Sequence, residues 1–209
     1  GLVIGCATFP TWNTYPGLFA ALATGNPVIV KPHPNAVLPA AITVSIVREV
    51  LSEQGLDPNL VTLALSNDPA HTQALAKSPA VASIDFTGSN QFGRWLQDNA
   101  RQARLYAEMA GVNSVIIEST DQYSAMLNNL AFTLSLYSGQ MCTTTQNIYI
   151  PKNGIQTDQG AKSFDQVCDD LAAAVRALVD NPRVATAVLG AVYAPETVGR
   201  IEAAAGKGP

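Results

Sequence analysis

Short apolar runs alternate with helix-like stretches through the first half of this chain. Residues 28–30 form an apolar run typical of a strand that is buried on both faces. Residues 37–51 then carry apolar side chains at helical spacing, and Gly55 and Pro58 follow in the order typical of a helix end. The same alternation predicts strands at 61–65, 81–86, 105–107 and 114–117, and helices at 69–76 and 89–99.

This alternation predicts an open, doubly wound parallel sheet of the α/β class, Rossmann-like, with helices on both faces. The pattern then restarts, with a helix predicted at 122–137, a strand at 148–150 and an amphipathic helix at 161–179. We therefore predict two domains, 1–110 and 111–209, with the change between Ala110 and Ser114. The second domain is expected to be part of another α/β domain.

Composition narrows the classes of function. Apolar residues make up 47% of the 209 residues, charged residues 13%, and the formal net charge is −4. No basic run provides the electrostatic footprint of a nucleic-acid-binding protein. No apolar run approaches the roughly 20 residues needed to cross a bilayer. We therefore expect neither nucleic acid nor membrane as a partner.

The three cysteines are far apart in the sequence and lack the spacing of metal ligands. They predict free thiols in a reducing compartment, hence a cytoplasmic protein without a metal site. Cys6, in an apolar run, and Cys168, on a helix-like stretch, are expected to be inert buried thiols. Because the chain begins without Met and directly on a strand pattern, we also expect it to be a piece of a longer protein, with little or no turnover alone.

Cys142 is the strongest candidate for catalysis. It follows Gly139 and Gln140 and precedes a run of threonines, a polar setting that is unlike that of a core cysteine. Glu108 and Asn13 lie upstream, so the chain offers a thiol, a carboxylate and an amide. These are a nucleophile, a base and an oxyanion donor for attack on a carbonyl group. The alternatives are an ion-paired carboxylate for Glu108 and a turn residue for Asn13.

A second set of candidates follows two of the predicted strands. Lys31 ends the strand at 28–30 and precedes Pro32, at the strand end where ligands bind in open parallel sheets. Thr87, Gly88 and Ser89 lead from the strand at 81–86 into a helix, where a hydroxyl and backbone N–H groups suit a pyrophosphate. This segment matches neither the G-x-G-x-x-G fingerprint nor a P-loop. A solvated lysine and an ordinary N-capping serine are the alternatives.

Taken together and in order, these segments resemble the aldehyde dehydrogenase superfamily. The match covers residues 8 to about 151, and its most specific part is the Gly-Gln-x-Cys motif with Glu108 upstream at the family spacing. The segments that carry the resemblance are 11–13, 23–27, 30–32, 86–89, 108–111 and 139–142.

The resemblance implies a role for each matching residue. Cys142 would attack an aldehyde, and the Asn13 amide with the Cys142 N–H would hold the oxyanion. Hydride would pass to NAD or NADP, after which Glu108 would activate the water that releases the acid. The resemblance also implies that the small-molecule substrate is an aldehyde and that the full-length protein is a homo-oligomer. The residues implied to contact the cofactor are Lys31, Pro32, Thr87, Gly88 and Ser89.

The sequence departs from the family pattern at several points. Members of the family often have a carboxylate three residues after the lysine, and this carboxylate binds the adenosine ribose. Here that position is Pro34, so a repulsion against the 2′-phosphate is lost, which slightly favours NADP. The stretch from Asn13 to Lys31 is short, and Asn147 replaces a common arginine. These departures resemble the branch associated with phenylacetate breakdown, whose members oxidise a ring-opened semialdehyde carrying CoA.

Two alternatives to the hydrolytic enzyme stay open. A CoA-acylating aldehyde dehydrogenase would pass the acyl group to CoA, but such variants generally lack the base, so Glu108 favours hydrolysis. A catalytically silent nucleotide-binding or scaffold domain is the second alternative. The sequence does not identify the aldehyde.

Overall fold

The computed structural model describes residues 1–192 and 194–205. The chain forms two compact units, Gly1–Ala110 and Gly111–Pro209. The division falls between Ala110 and Gly111. No helix among the described residues is long and apolar enough to span a membrane.

The first unit is an open sheet of five parallel strands, which lie in the order third, second, first, fourth and fifth along the chain. This confirms the predicted parallel α/β fold, and the strand order is that of a doubly wound sheet. Its elements are β1 (Leu2–Ile4), α1 (Tyr15–Ala23), β2 (Val28–Lys31), α2 (Val37–Glu53), β3 (Val61–Leu63), α3 (Pro69–Ala76), β4 (Ser83–Gly88), α4 (Asn90–Asn99) and β5 (Arg104–Met109).

Two elements differ most from the prediction. Helix α1 was not predicted, because its Tyr15-Pro16-Gly17 start is typical of a turn; proline is nevertheless well tolerated in the first helical turn. Strand β5 is twice as long as the apolar run at 105–107, because all six of its residues pair with β4, from Ser83↔Arg104 to Gly88↔Met109. Pairing with a neighbouring strand therefore fixes its ends.

The core of the first unit lies on both faces of the sheet. Along β1, Leu2 and Ile4 face one cluster and Val3 faces the other, as the two-residue period of a strand requires. The first cluster packs the sheet against α3 and α4, and the second packs it against α1 and α2. The buried residues of the first cluster are Leu2, Ile4, Ala76, Val81, Ile84, Phe86, Leu96 and Ala100. Those of the second are Val3, Leu18, Val28, Val30, Ala40, Val44 and Val61.

Two glycines allow close approaches, one at the start of the loop between β1 and α1 and one in the first turn of α1. A Cβ added at Gly5 would lie 2.8 Å from Thr14 Oγ1, and one added at Gly17 would lie 2.6 Å from Asp85 Oδ2. Thr14 is buried, and its hydroxyl donates a hydrogen bond to the Pro10 carbonyl at 2.6 Å. Loop, helix start and sheet are therefore packed against one another without room for another carbon atom.

In its described residues, the second unit combines two small sheets with four α-helices. Its first and third strands pair in parallel, and the other three form a sheet in the order fifth, fourth and second along the unit. Its elements are β6 (Asn113–Ile116), β7 (Ser119–Thr120), α5 (Tyr123–Ser135), β8 (Thr145–Tyr149), β9 (Ile155–Thr157), β10 (Gly160–Lys162), α6 (Phe164–Val179), α7 (Pro182–Val188) and α8 (Pro195–Ala204).

The predicted helix ends need correction in this unit. Helix α5 stops at Ser135 rather than at 137, because the backbone turns left-handed at Tyr137. Helix α6 begins at Phe164 rather than at 161, because residues 160–162 pair as β10. Ser163 and Gln166 form a capping box at this start: each side chain accepts a hydrogen bond from the other residue's backbone N–H.

Helices α5 and α6 enclose the core of the second unit. Tyr123 is 1% exposed, and its hydroxyl donates to Asp170 Oδ2 at 2.9 Å. Lys162 lies 3.4 Å from the same oxygen and over the Tyr123 ring. Burial first, and the bond and charge of Asp170 next, raise the pKa of Tyr123 to about 12. The buried core consists of Ile117, Tyr123, Leu127, Leu130, Ile155 and Val167.

The prediction for the two inert cysteines is wrong for Cys168 and only partly right for Cys6. Cys168 is exposed on α6, since the core side of that helix is occupied by residues such as Val167. Cys6 lies just after β1 and is partly buried. All three cysteines are free.

Candidate active site

A cavity of about 410 Å³ opens at the carboxyl ends of β1, β2 and β4. It lies where the strand order reverses between β1 and β4, which is where open α/β sheets bind their ligands. We call it the carboxyl-end cavity. The residues predicted to contact the cofactor all line it: Lys31, Pro32, Thr87, Gly88 and Ser89.

Lys31 is a buried cation at the wall of this cavity. Its side chain is 5% exposed, and Nζ donates a hydrogen bond to the Pro32 carbonyl at 2.8 Å. Burial lowers the pKa of Lys31, and burial together with the Lys31 charge lowers the pKa of His33. The alternative of a solvated lysine is therefore wrong. An ammonium carries three donor hydrogens, so Lys31 can also donate to a ligand.

Ser89 is the N-cap of α4. Its backbone is extended, and Oγ accepts a hydrogen bond from the Phe92 N–H at 3.3 Å. Ser89 is therefore an N-capping serine, as the alternative proposed. Capping does not exclude ligand binding, because the hydroxyl hydrogen remains a donor and the helix N-terminus favours an anion.

Sequence reasoning missed the part of the cavity wall that follows β3. Asp68 lines the cavity and caps α3, its Oδ1 accepting from the Ala70 N–H at 2.8 Å. The signal was present, because Asp68-Pro69 combines an N-cap residue with proline at the first helical position. The other lining residues that were not predicted include Cys6, Thr8, His33, Ser66, Asn67 and Thr72.

Asn13 lies in the loop between β1 and α1 and is partly buried. Its backbone N–H donates to the Phe9 carbonyl at 3.1 Å, as expected of a turn residue. Its side-chain Oδ1 accepts a hydrogen bond from the Cys6 thiol at 3.4 Å. That bond identifies the acceptor side of the amide, so the NH₂ group is the side that remains to donate.

Glu108 is exposed near the carboxyl end of β5, opposite Thr87 of β4. Glu108 forms no ion pair among residues 1–192 and 194–205, so these residues do not form the ion pair that the alternative for Glu108 requires. Asp85 lies on the same face of the sheet, two residues before Thr87. Burial raises the pKa of Asp85, and the charge of Glu108 raises it further.

Cys142 is exposed on a tight turn of residues 141–144, which we call the Cys142 turn. The Thr144 N–H closes this turn by donating to the Met141 carbonyl at 3.1 Å. No hydrogen bond from the Cys142 or Thr143 N–H occurs within the described part of the chain. Two backbone donors therefore lie next to an exposed thiol.

A left-handed segment precedes the Cys142 turn, with φ of 53° at Tyr137, 58° at Ser138 and 72° at Gly139. Side chains other than glycine rarely adopt this backbone region, and such residues cluster at functional sites. The Ser138 hydroxyl donates to the Gly190 carbonyl at 2.8 Å. Gln140 Nε2 donates to the carbonyls of Tyr137 and Ala191, both at 2.9 Å.

Asn113, at the start of β6, was also missed. Its Nδ2 donates to the Cys142 carbonyl at 2.7 Å and to the Thr144 carbonyl at 3.1 Å. Of the predicted catalytic residues, Asn13 and Glu108 belong to the first unit and Cys142 to the second.

No group of three or more His, Cys, Asp or Glu suited to a metal ion occurs among the described residues.

A model of the aldehyde dehydrogenase family matches residues 3–208 of this chain. The chain belongs to the aldehyde dehydrogenase family. A crystal structure of an NAD-dependent aldehyde dehydrogenase from Burkholderia multivorans shares 56% identity with a TM-score of 0.92 over 98% of this chain and 37% of that one.

Curated relatives extend this result. A Caenorhabditis elegans protein named as a homologue of aldehyde dehydrogenase family 7 member A1 is 29% identical over 96% of this chain and 37% of its own length. A 2-aminomuconic 6-semialdehyde dehydrogenase of a Pseudomonas species is 28% identical over 86% of this chain and 34% of its own length. This aldehyde dehydrogenase chain thus spans about a third of the length of these relatives.

Proposed function

We propose that the full-length protein containing this chain oxidises an aldehyde to a carboxylic acid with NAD or NADP as the hydride acceptor. The observation that carries this proposal is the exposed Cys142 thiol, which lies on a turn beside two backbone N–H groups that donate no hydrogen bond among the described residues. In this proposal the first unit supplies part of the cofactor-binding domain and the second unit part of the catalytic domain.

The Cys142 thiolate forms a bond to the carbonyl carbon, and the carbonyl electron pair moves to oxygen. The Asn13 NH₂ group and the Cys142 N–H hold that oxyanion, since both donate without titrating. The Cys6 thiol supports this role for Asn13, because it already occupies the Oδ1 side of the amide.

The carboxyl-end cavity fits the cofactor. Its Lys31 ammonium suits ribose hydroxyls, and Ser89 at the N-terminus of α4 suits a pyrophosphate. Pro32, Thr87 and Gly88 complete this wall. Bound NAD or NADP would accept a hydride from the carbon of the covalent adduct, and the oxyanion electron pair would re-form the C=O bond, which leaves a thioester.

Glu108 acts in the second half of the reaction. Its carboxylate takes a proton from water as the water oxygen attacks the thioester carbon. The carbon–sulfur bond then breaks, the acid leaves and the Cys142 thiolate is restored. An exposed carboxylate without an ion-pair partner among the described residues is available for this task. It favours hydrolysis over transfer of the acyl group to CoA.

Two observations bear on the choice of cofactor. Pro34 lines the cavity where many relatives have a carboxylate, which leaves room for a 2′-phosphate and supports NADP. Asp68 returns a carboxylate to the same cavity, and the Burkholderia multivorans enzyme is named as NAD-dependent. We propose that both cofactors are accepted and that Asp68 favours NAD.

We further propose a semialdehyde as the substrate, with a CoA-linked semialdehyde of phenylacetate breakdown as the specific candidate. The Pseudomonas relative is named for a semialdehyde, and the departures at Pro34 and Asn147 support that branch. A cytoplasmic homo-oligomer is part of the same proposal.

Reduction of NAD and of NADP by the full-length protein, with a panel of semialdehydes, tests this function. Cys142→Ala should abolish turnover, and Glu108→Gln should stop it after one burst of reduced cofactor. Unchanged turnover in Cys142→Ala would overturn the mechanism, and full turnover in Glu108→Gln would overturn the hydrolytic step. Formation of an acyl-CoA product would identify the CoA-acylating alternative. A Cys142 thiol inert to iodoacetamide at neutral pH would indicate a catalytically silent domain.

A further inference from the structure

Asn113 contacts the Cys142 turn from the start of β6. One NH₂ group bonds two carbonyls of this turn, those of Cys142 at 2.7 Å and Thr144 at 3.1 Å. Thr143, the residue between them, is exposed. The amide thus holds the turn on both sides of its exposed residue.

These bonds determine where the N–H groups of the turn point. A peptide group is planar, so fixing its carbonyl also fixes its N–H on the opposite side. The Met141 carbonyl accepts from the Thr144 N–H, which orients the Cys142 N–H. The Cys142 carbonyl accepts from Asn113, which orients the Thr143 N–H. Two successive peptide groups beside the thiol are therefore pinned, with their donors unpaired among the described residues.

We propose that Asn113 is a positioning residue of the oxyanion site. It holds the Cys142 turn so that backbone N–H groups face the oxygen of the substrate carbonyl during attack by the thiolate. This inference rests on the proposed function of Cys142. Because preorganised donors are most effective at fixed distances, a small shift of the turn slows oxyanion formation more than it affects the thiol itself.

The chemistry of Asn113 makes the proposal specific. Both contacts use the two N–H donors of the amide, and both partners are acceptors. Asn113→Asp keeps the shape of the side chain but replaces the donors with a carboxylate, which repels the two carbonyls. Asn113→Ser retains a single short donor without adding charge.

Two reactions of the same thiol separate positioning from general damage. Iodoacetamide alkylates a thiolate at a saturated carbon, so no oxyanion forms. An activated ester such as p-nitrophenyl acetate acylates it through a tetrahedral oxyanion. In the full-length protein we expect Asn113→Asp to slow acylation by about tenfold or more and to leave the alkylation rate unchanged. Asn113→Ser should show the same split, less strongly.

Gln146→Glu is the matched control. Gln146 lies on β8, and its Nε2 donates to the Gly111 carbonyl at 3.1 Å, so the change removes an amide donor and adds a charge without touching the Cys142 turn. It should alter neither rate. Equal slowing of acylation and alkylation in both Asn113 variants, or slowing of neither reaction, would overturn the proposal. Acylation that persists in Cys142→Ala would instead overturn the proposed function.

Discussion

Gln140 anchors the left-handed segment that precedes the nucleophile, and its removal should destabilise the second unit. Nε2 donates to the Tyr137 carbonyl within the segment and to the Ala191 carbonyl 51 residues later, each at 2.9 Å. Gln140→Ala removes both bonds. It leaves Tyr137 and Ser138 in an unfavourable backbone region, although the Ser138 hydroxyl still donates to Gly190 and the backbone N–H of residue 140 still donates to the Tyr137 carbonyl.

The expected loss follows from two hydrogen bonds of about 0.5–1.5 kcal/mol each, hence about 1–3 kcal/mol in the free energy of unfolding. For a chain of this size, each kcal/mol corresponds to roughly 2–4 °C in Tm, so a decrease of roughly 2–12 °C is expected.

Urea unfolding followed by circular dichroism measures this loss. Tryptophan fluorescence is less suitable, because Trp12 and Trp95 are the chain's two tryptophans and both lie in the first unit. Gln122→Ala is the control: Gln122 is exposed at the start of α5 and makes no side-chain capping bond. If the two variants differ by less than about 0.5 kcal/mol, Gln140 is not an anchor.

Three further predictions concern other side chains. Thr144 Oγ1 is buried and has no hydrogen-bond partner among the described residues, so Thr144→Val should increase the free energy of unfolding by about 1–3 kcal/mol; a decrease in urea unfolding would contradict this. The pKa of Tyr123 is raised to about 12, so its protonated hydroxyl stabilises the fold below pH 10, and this stability should be lost as the pH rises from 10 towards 12. If Tyr123→Phe leaves the dependence of stability on pH unchanged in this window, that dependence does not come from Tyr123. Asp68→Asn should raise the kcat/KM ratio of NADP to NAD several-fold, and an unchanged ratio would show that Asp68 does not select the cofactor.

The sequence was most informative where local pattern and tertiary structure agree. Strands β2 and β4 and helices α2 and α3 were found because their apolar residues meet the core directly. The five residues predicted to contact the cofactor share one cavity, because parallel strands in one sheet present their carboxyl ends at one edge. Local sequence therefore sufficed for the fold class and for one wall of the candidate site.

Long-range partners explain what the sequence did not predict. The contacts of Asn113 lie 29 and 31 residues away, and those of Gln140 and Ser138 reach 51 and 52 residues along the chain. The left-handed backbone at Tyr137 has no local signal, since neither Tyr137 nor Ser138 is glycine. Tertiary contacts hold such conformations, and no periodicity records them.

Gly5, at the start of the loop between β1 and α1, and Gly17, in the first turn of α1, give that loop fixed anchor points. Gly5 adjoins Thr14, and Gly17 adjoins Asp85, each without space for a methyl group. Besides its own hydrogen bonds, the position of Asn13 thus depends on two contacts that it does not make itself. Gly5→Ala or Gly17→Ala would therefore shift the Asn13 amide, the proposed oxyanion donor, without changing any side chain of the site itself.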